Sequence, residues 1–444
     1  MNNTPLIYIA LPAMDEALYL PKCLDCIENQ NYKNFHIVIC INQPNEWWEL
    51  SEKRNICENN AVVLEYLNKK DKTKYTIIDK SSKGNGWENN KHGVGWARKT
   101  AMDFIAKKAE NTDIILSLDA DTSFSPDYFS SVINSFSKFP DAVALSNPYY
   151  HKLSGSEAED RAILRYEIYM RNYAINLLRI ASPYAYTALG SAIALTVSSY
   201  KAIGGLTPKK SGEDFYFLQK LRKYGSIIVF NNEKVFPAAR FSDRVFFGTG
   251  PAMIKGNNGD WSSYPVYHHS LFDNIKKTYN CFPMLYKKDC DTPLDQFLFE
   301  QYIPIRNRFA EDPITDKSGQ VGITRSNHLC YRKPVKNEYK TNEIWKPLRE
   351  NHKDVNHFVR ACHEKLDGLR ILQYLKSEQQ LINKTFESCL YDNILEVFGK
   401  THTFEKLNVL KKFHFNECSL DLLNEIRNYL TNLEEIMQKS IKII

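Results

Sequence analysis

Four short apolar runs, separated by amphipathic stretches, constrain this chain more than any other feature of it. Leu6–Pro12 (LIYIALP), Phe35–Ile41 (FHIVICI), Tyr75–Asp79 (YTIID) and Asp113–Leu118 (DIILSL) have the length and β-branched character of interior strands. Between them lie Asp15–Gln30, a helix with acids at its entrance, a polar helix-prone insertion from about Pro44 to Lys74, and the helix Trp96–Glu110. Strand and helix in alternation predict a largely parallel sheet with helices on both faces. Ligands of such a sheet gather beyond the carboxyl ends of its strands. Cys23 and Cys26 form a CxxC, but Leu20, Cys23, Leu24 and Ile27 make a helical stripe and no second pair follows, so they read as buried helix cysteines.

The fourth run ends in two acids one residue apart, Asp119 and Asp121. If the chain stays extended there, both carboxylates point to one side, because strand side chains alternate with period two. Convergent carboxylates repel unless a cation or protons offset the charge. Two readings remain at this point: a metal site, or a polar loop leading into the helix that "SPDYF" begins.

At 444 residues the chain is too long for one ordinary core, so two domains are expected. The texture changes near Ser270, where strands fade and Lys, Glu, Asn and Leu take over in helical patterns. The expected division is 1–270, α/β, and 271–444, mainly helical. Leu422, Ile426, Leu430, Leu433, Met437 and Ile444 fall at helical steps and predict a terminal amphipathic helix. It is expected to pack on its own domain, with homo-oligomerisation or a peripheral membrane contact as alternatives. A net charge of +6 suits anionic small molecules or lipid headgroups and is too sparse for a nucleic-acid binder. Ten cysteines without disulfide spacing and no signal peptide point to a reducing cytoplasm, with the inner face of the membrane as a further location. Ala181–Ser199, the longest uncharged stretch, is broken by Pro183 and Gly190 and is a poor membrane span.

Four features fall in order at the strand ends: "LPAMDE" after the first strand, "GVGWARKTAMD" with Arg98, the Asp119–Asp121 pair in "LDAD", and "GEDFYFLQKLRKYG" after the glycine-rich "GGLTPKKSG". With "ALYLPKCLDCIENQNYKNFHIVICIN", this series resembles the family 2 glycosyltransferases of the GT-A fold over roughly Pro5 to Gly250. The resemblance implies a mixed, mostly parallel α/β sheet flanked by helices, and transfer of a sugar from a nucleotide-diphosphate sugar to a hydroxyl acceptor with inversion. The acceptor would be a glycan, a lipid-linked glycan or a small molecule, and the setting cell-surface polysaccharide biosynthesis.

The resemblance also assigns residues. Asp121 becomes the direct ligand of Mn²⁺ or Mg²⁺, with Asp119 on the ribose or a metal-bound water and His268 or His269 as a third ligand. A divalent cation would offset the charge growing on the leaving diphosphate, and an all-oxygen site with few protein donors suits these ions. Pro12, Asp79 and Arg98 would face the nucleotide. Gly190 would let the backbone approach the donor. Asp214 would be the general base, with Glu213 as the other acid of its pair. Arg240 and Arg244 would contact phosphate or an anionic acceptor. Where the family has an aspartate near the base, this chain has Asn42 and Gln43. The tryptophan motif of the membrane-embedded polysaccharide synthases is absent. Two rivals stand beside this reading: a sugar nucleotidyltransferase, disfavoured by the lack of a glycine-rich loop after the first strand, and a sugar-nucleotide-binding protein without catalysis, disfavoured by the two acid pairs.

Overall fold

The structure is a computed structural model that describes residues 4–88, 91–243, 248–300 and 342–444. The four apolar runs form strands β1 (Ile7–Ala13), β2 (Phe35–Asn42), β3 (Tyr75–Lys80) and β4 (Ile114–Ser117). All four are parallel, with β1 between β2 and β4, so that Ile9 stands opposite both Ile37 and Leu116. Three further strands, β6 (Ala144–Ser146), β7 (Ile193–Thr196) and β8 (Ile227–Ile228), extend the sheet. The order is β3-β2-β1-β4-β7-β6-β8, and β7 runs antiparallel to both its neighbours. The architecture is therefore a mixed, mostly parallel α/β sheet. A two-stranded ribbon pairs β5 (Ser123–Phe124) with β9 (Val235–Phe236).

Period-two alternation sorts the core into two layers. Ile7, Ile9, Leu11, Ile37, Ile39, Leu116 and Leu118 join Leu20, Cys23, Leu24 and Ile27 of helix α1 (Leu20–Glu28), together with Val63 and Leu67 of α2 (Arg54–Asn68) and Phe129 and Val132 of α4 (Tyr128–Lys138). The alternate residues Ala10, Val38, Cys40 and Ile115 are just as buried and point to the opposite face. There α3 (Val94–Lys108) packs across β1 and β2 through Ala97, Ala101, Met102 and Ile105. The predicted cysteine stripe is present, and all nine described cysteines are free thiols.

Two compact units emerge, residues 1–269 with 383–444, and residues 270–382. The sequence texture changes near Ser270, and residues 383–444 group with the first unit and not with 270–382. The last stretch belongs with the sheet because its helix, Leu420–Ile441, packs along α5 (Glu157–Arg179). The chain then leaves the helix at Lys442, and Ile444 exchanges two 2.9 Å backbone hydrogen bonds with Ile227 of the edge strand β8. Ile444 is thus paired at a sheet edge, where its open donors and acceptors are satisfied, and does not continue the predicted helical stripe. The second unit is helical, with helices Asn342–Asn351, Val355–Lys365 and Gly368–Gln379. Among the described residues no helix is long and apolar enough to cross a membrane.

Candidate active site

Beyond the carboxyl ends of β1 and β4 the chain does not stay extended. A turn closes as Thr122 N donates to Asp119 O at 3.1 Å, and it sends the two aspartates to different guanidinium groups. Asp119 Oδ1 accepts from Arg98 Nη2 at 2.7 Å. Asp121 Oδ2 accepts from Arg240 Nε at 3.0 Å and from its Nη2 at 2.6 Å. The repulsion evident in the sequence is therefore offset twice, by one arginine for each acid.

Arg98 sits one turn into α3 and is 2% exposed. Its Nε donates to Glu213 Oε1 at 3.1 Å, and Nη1 donates to Gly190 O at 3.1 Å and to Ser117 Oγ. Four of its five donors thus join β4, the turn after it, the Gly190 segment and the start of α7 (Glu213–Tyr224), the helix that follows the short α6 (Val197–Ala202). The neighbouring carboxylates of Asp119 and Glu213 more than offset burial and raise its already high pKa. The expected nucleotide contact does not fit this position: a guanidinium so enclosed organises the site and does not present itself to a ligand. Gly190 is explained by the same group. A Cβ there would lie 2.4 Å from Arg98 Nη2, so the close approach that requires glycine is made by the arginine.

Helix α7 begins at Gly212, which has a left-handed φ of 72° and gives no side-chain cap. Glu213 is buried and committed to Arg98. Asp214 keeps part of its surface accessible. The dense protein around it and the charge of Glu213 push its pKa up to about 7, against the pull of the Phe215 N–H, which it accepts at 2.8 Å, and of Arg98. The negative charge of Asp119 adds to the upward shift. The loop before α7 lies against the first turn of α3. A Cβ on Gly95 would fall 2.2 Å from Lys209 O, so the "GVG" signal serves the approach of two backbones.

Arg240 bridges two acids. Its Nη2 donates to Glu16 Oε1 at 2.7 Å as well as to Asp121, and its guanidinium stacks on the Tyr19 ring at 4.0 Å. Both carboxylates raise its pKa further, outweighing burial. Arg244 lies outside the described residues.

The remaining expected residues fall elsewhere or are otherwise engaged. His268 lies 3.5 Å from Asp392 Oδ2, and His269 Nε2 lies 3.0 Å from Glu396 Oε2. The return of the tail supplies both acids, and the histidines face those partners in place of Asp121. Asp79 takes hydrogen bonds from Ser81, Ser82 and Asn85. Burial raises its pKa, but those bonds win and bring it to about 2, so its carboxylate organises its own turn. Pro12 is buried within β1 opposite Cys40. Asn42 and Gln43 are buried too, tied to Ala13 O and Cys57 Sγ at 3.0 Å each.

Sequence reasoning missed Glu16 and Ser117. The acids before α1 read as partners of a helix dipole, and only the distance in sequence to Arg240 hid the second role of Glu16. Ser117 looks like an ordinary strand residue, yet its hydroxyl donates to Gly190 O at 2.6 Å. Nothing in its neighbourhood in the sequence signals that contact.

Asp119, Asp121 and Glu16 offer oxygen only, the chemistry that Mg²⁺ and Mn²⁺ select. Among the described residues no three acid, histidine or cysteine side chains already surround a metal position. Few protein donors, completed by phosphate and water, are what Mg²⁺ ordinarily takes. The residues fit such an ion, provided Arg240 yields its place on Asp121.

No protein-family model matches this chain, and no curated protein matches it by sequence. Solved glycosyltransferases resemble it in structure. A crystal structure of residues 1–349 of TarS from S. aureus is 15% identical over 52% of this chain and 60% of that one, with a TM-score of 0.33. The present chain thus spans less than two thirds of that protein. The mannosyltransferase PcManGT from Pyrobaculum calidifontis, in complex with GDP-Man and Mn²⁺, is 16% identical over 70% of this chain and 72% of that one, with a TM-score of 0.34. GalNAc-T7 with UDP, GalNAc and Mn²⁺ is 11% identical over 60% of this chain and 49% of that one, also with a TM-score of 0.34.

Proposed function

We propose that this chain is a glycosyltransferase that moves a sugar from a nucleotide-diphosphate sugar to a hydroxyl acceptor, with inversion at the anomeric carbon. One observation carries the reading: at the carboxyl ends of a parallel sheet, Asp214 remains partly accessible beside a Glu213 that is locked onto Arg98, and burial with the Glu213 charge pushes the Asp214 pKa up to about 7. A general base works best when its pKa lies close to the working pH. Asp214 takes the acceptor proton as the acceptor oxygen bonds to the anomeric carbon. The bond from that carbon to the diphosphate breaks, and its electron pair leaves on the diphosphate.

Asp121 and Asp119 would hold Mn²⁺ or Mg²⁺, which when bound supplies Lewis-acid stabilisation of the charge gathering on the leaving group. Arg98 keeps Asp119 and Glu213 in place, so that one acid of the α7 pair is spent on structure and the other is left for chemistry. The GT-A resemblance and the ordered motif series support this assignment, as does the placement of the acids at the strand ends.

A panel of sugar nucleotides, each with and without Mn²⁺, tests the reading by thermal shift, since a ligand bound only by the folded state raises its stability. The expected result is stabilisation by one donor class in a metal-dependent way, followed by release of nucleoside diphosphate when an acceptor is supplied. Release of pyrophosphate from a sugar phosphate and a nucleoside triphosphate would reassign the chain to the nucleotidyltransferases.

A further inference from the structure

Arg240 is held by more than a solvated loop arginine would be. One nitrogen, Nη2, donates to Asp121 Oδ2 at 2.6 Å and to Glu16 Oε1 at 2.7 Å. The Glu16 side chain is 6% exposed and that of Asp121 16%. Two carboxylates so far out of water need a counter-charge. Arginine supplies one that persists at every working pH. The Tyr19 face at 4.0 Å gives the guanidinium a further resting surface.

Resting on the proposed reading, we infer that Arg240 is a built-in counter-ion that competes with the divalent cation for Asp121, and that Glu16 is an additional carboxylate of the cation site. Two oxygens that already share one nitrogen need only a small adjustment to share one ion. Arg240 and the metal cannot hold Asp121 Oδ2 together at full strength, because two cations on one oxygen repel. Exchange leaves the acids neutralised throughout, and it releases a guanidinium beside the place where an anionic diphosphate arrives. In the absence of donor the arginine keeps the acids compact. When metal and diphosphate arrive together, the displaced arginine gains an anion to pair with, so binding of the two is mutually reinforcing.

Metal binding itself is the test. Mn²⁺ is titrated into the wild-type protein and into Arg240→Gln without nucleotide, and the free aquo ion is read by its electron paramagnetic resonance signal. Arg240→Gln is expected to bind Mn²⁺ at least about tenfold more tightly, the scale of one charge-assisted hydrogen bond removed from the competitor. Adding Glu16→Gln to that variant should reverse the gain. Arg240→Lys, which keeps the charge but not the fork, should fall between and serves if the glutamine variant does not fold. Equal or weaker binding by Arg240→Gln overturns the inference, as does a double variant that keeps the gain. Wild-type protein titrated with Mn²⁺ in the presence of a nucleoside diphosphate separates the two levels of the argument. Binding there, with no gain in Arg240→Gln, sinks the counter-ion role and leaves the glycosyltransferase reading intact. No binding in any form removes the metal from that reading and the inference with it.

Discussion

Two ionic clusters lie in the same compact unit, and they are built to opposite ends. One is the strand-end site of Arg98, Arg240, Asp119, Asp121, Glu16, Glu213 and Asp214. The other lies between α5 and the terminal helix, where Glu167 Oε2 accepts from Arg171 at 3.2 Å and from Arg427 at 3.3 Å, and Arg171 Nη1 donates to Glu434 at 2.8 Å. Glu167 Oε1 also accepts the backbone N–H of His151 at 2.8 Å. The second cluster is closed: its four charged residues are at most 3% exposed and two acids balance two arginines. Burial raises the Glu167 pKa, but Arg171 and the further contacts hold it far below the usual range. In the first cluster Asp119 and Asp214 keep accessible surface, and burial with the Glu213 charge pushes the Asp214 pKa up. A closed ionic cluster fixes one arrangement of two helices, whereas an open one keeps groups available for a ligand.

The sharpest break in that contrast is truncation after His269. It removes Arg427 and Glu434, bares the face of α5 and exposes the β8 edge. The expected outcome is loss of the cooperative unfolding transition, with aggregation, seen by circular dichroism and size-exclusion chromatography. A folded, nucleotide-binding fragment would show that the tail is dispensable to the unit it completes.

Asp214→Asn comes next and touches only the open cluster. Turnover should fall by about 10²–10⁴-fold with donor affinity nearly intact, the usual scale of general-base loss. Near-normal turnover would make Asp214 structural. Glu167→Ala touches only the closed cluster; it leaves the buried Arg427 without its acid and Arg171 with Glu434 alone. A loss of about 3–5 kcal/mol in urea unfolding is expected, with Mn²⁺ response unchanged. The sign of its pH dependence follows from the depressed pKa: the stabilisation is present above the unfolded glutamate value and is lost as pH falls through the folded one, so the gap between wild type and Glu167→Gln should narrow in acid.

The smallest expected effect concerns pH at the open cluster. Activity should rise with pH and level off above about 7, as Asp214 loses its proton. The same raised pKa favours the protonated folded state. Its stabilisation is complete below the unfolded aspartate value and is lost as pH rises through the folded one. Asp214→Asn should therefore gain in melting temperature relative to wild type at pH 8 and not at pH 3.5. A profile falling across neutrality, or an equal difference at both pH values, would contradict the assignment.

Sequence alone determined the alternation of strands and helices, the parallel pairing it implies, and the delivery of Asp119, Asp121, Glu213 and Asp214 to element ends. These depend on short-range periodicity, which a chain writes locally. Tertiary structure decided which charge each acid meets. Arg98 reaches Glu213 across 115 residues, and Arg240 reaches Asp121 across 119 and Glu16 across 224. No local pattern reports pairings at such separations. The same limit hid the tail: its spacing announced a helix, but the buried Arg427 and Glu434 that fix its place have partners on α5, more than 250 residues earlier. It also misdirected His268 and His269, whose companions Asp392 and Glu396 arrive only when that tail folds back.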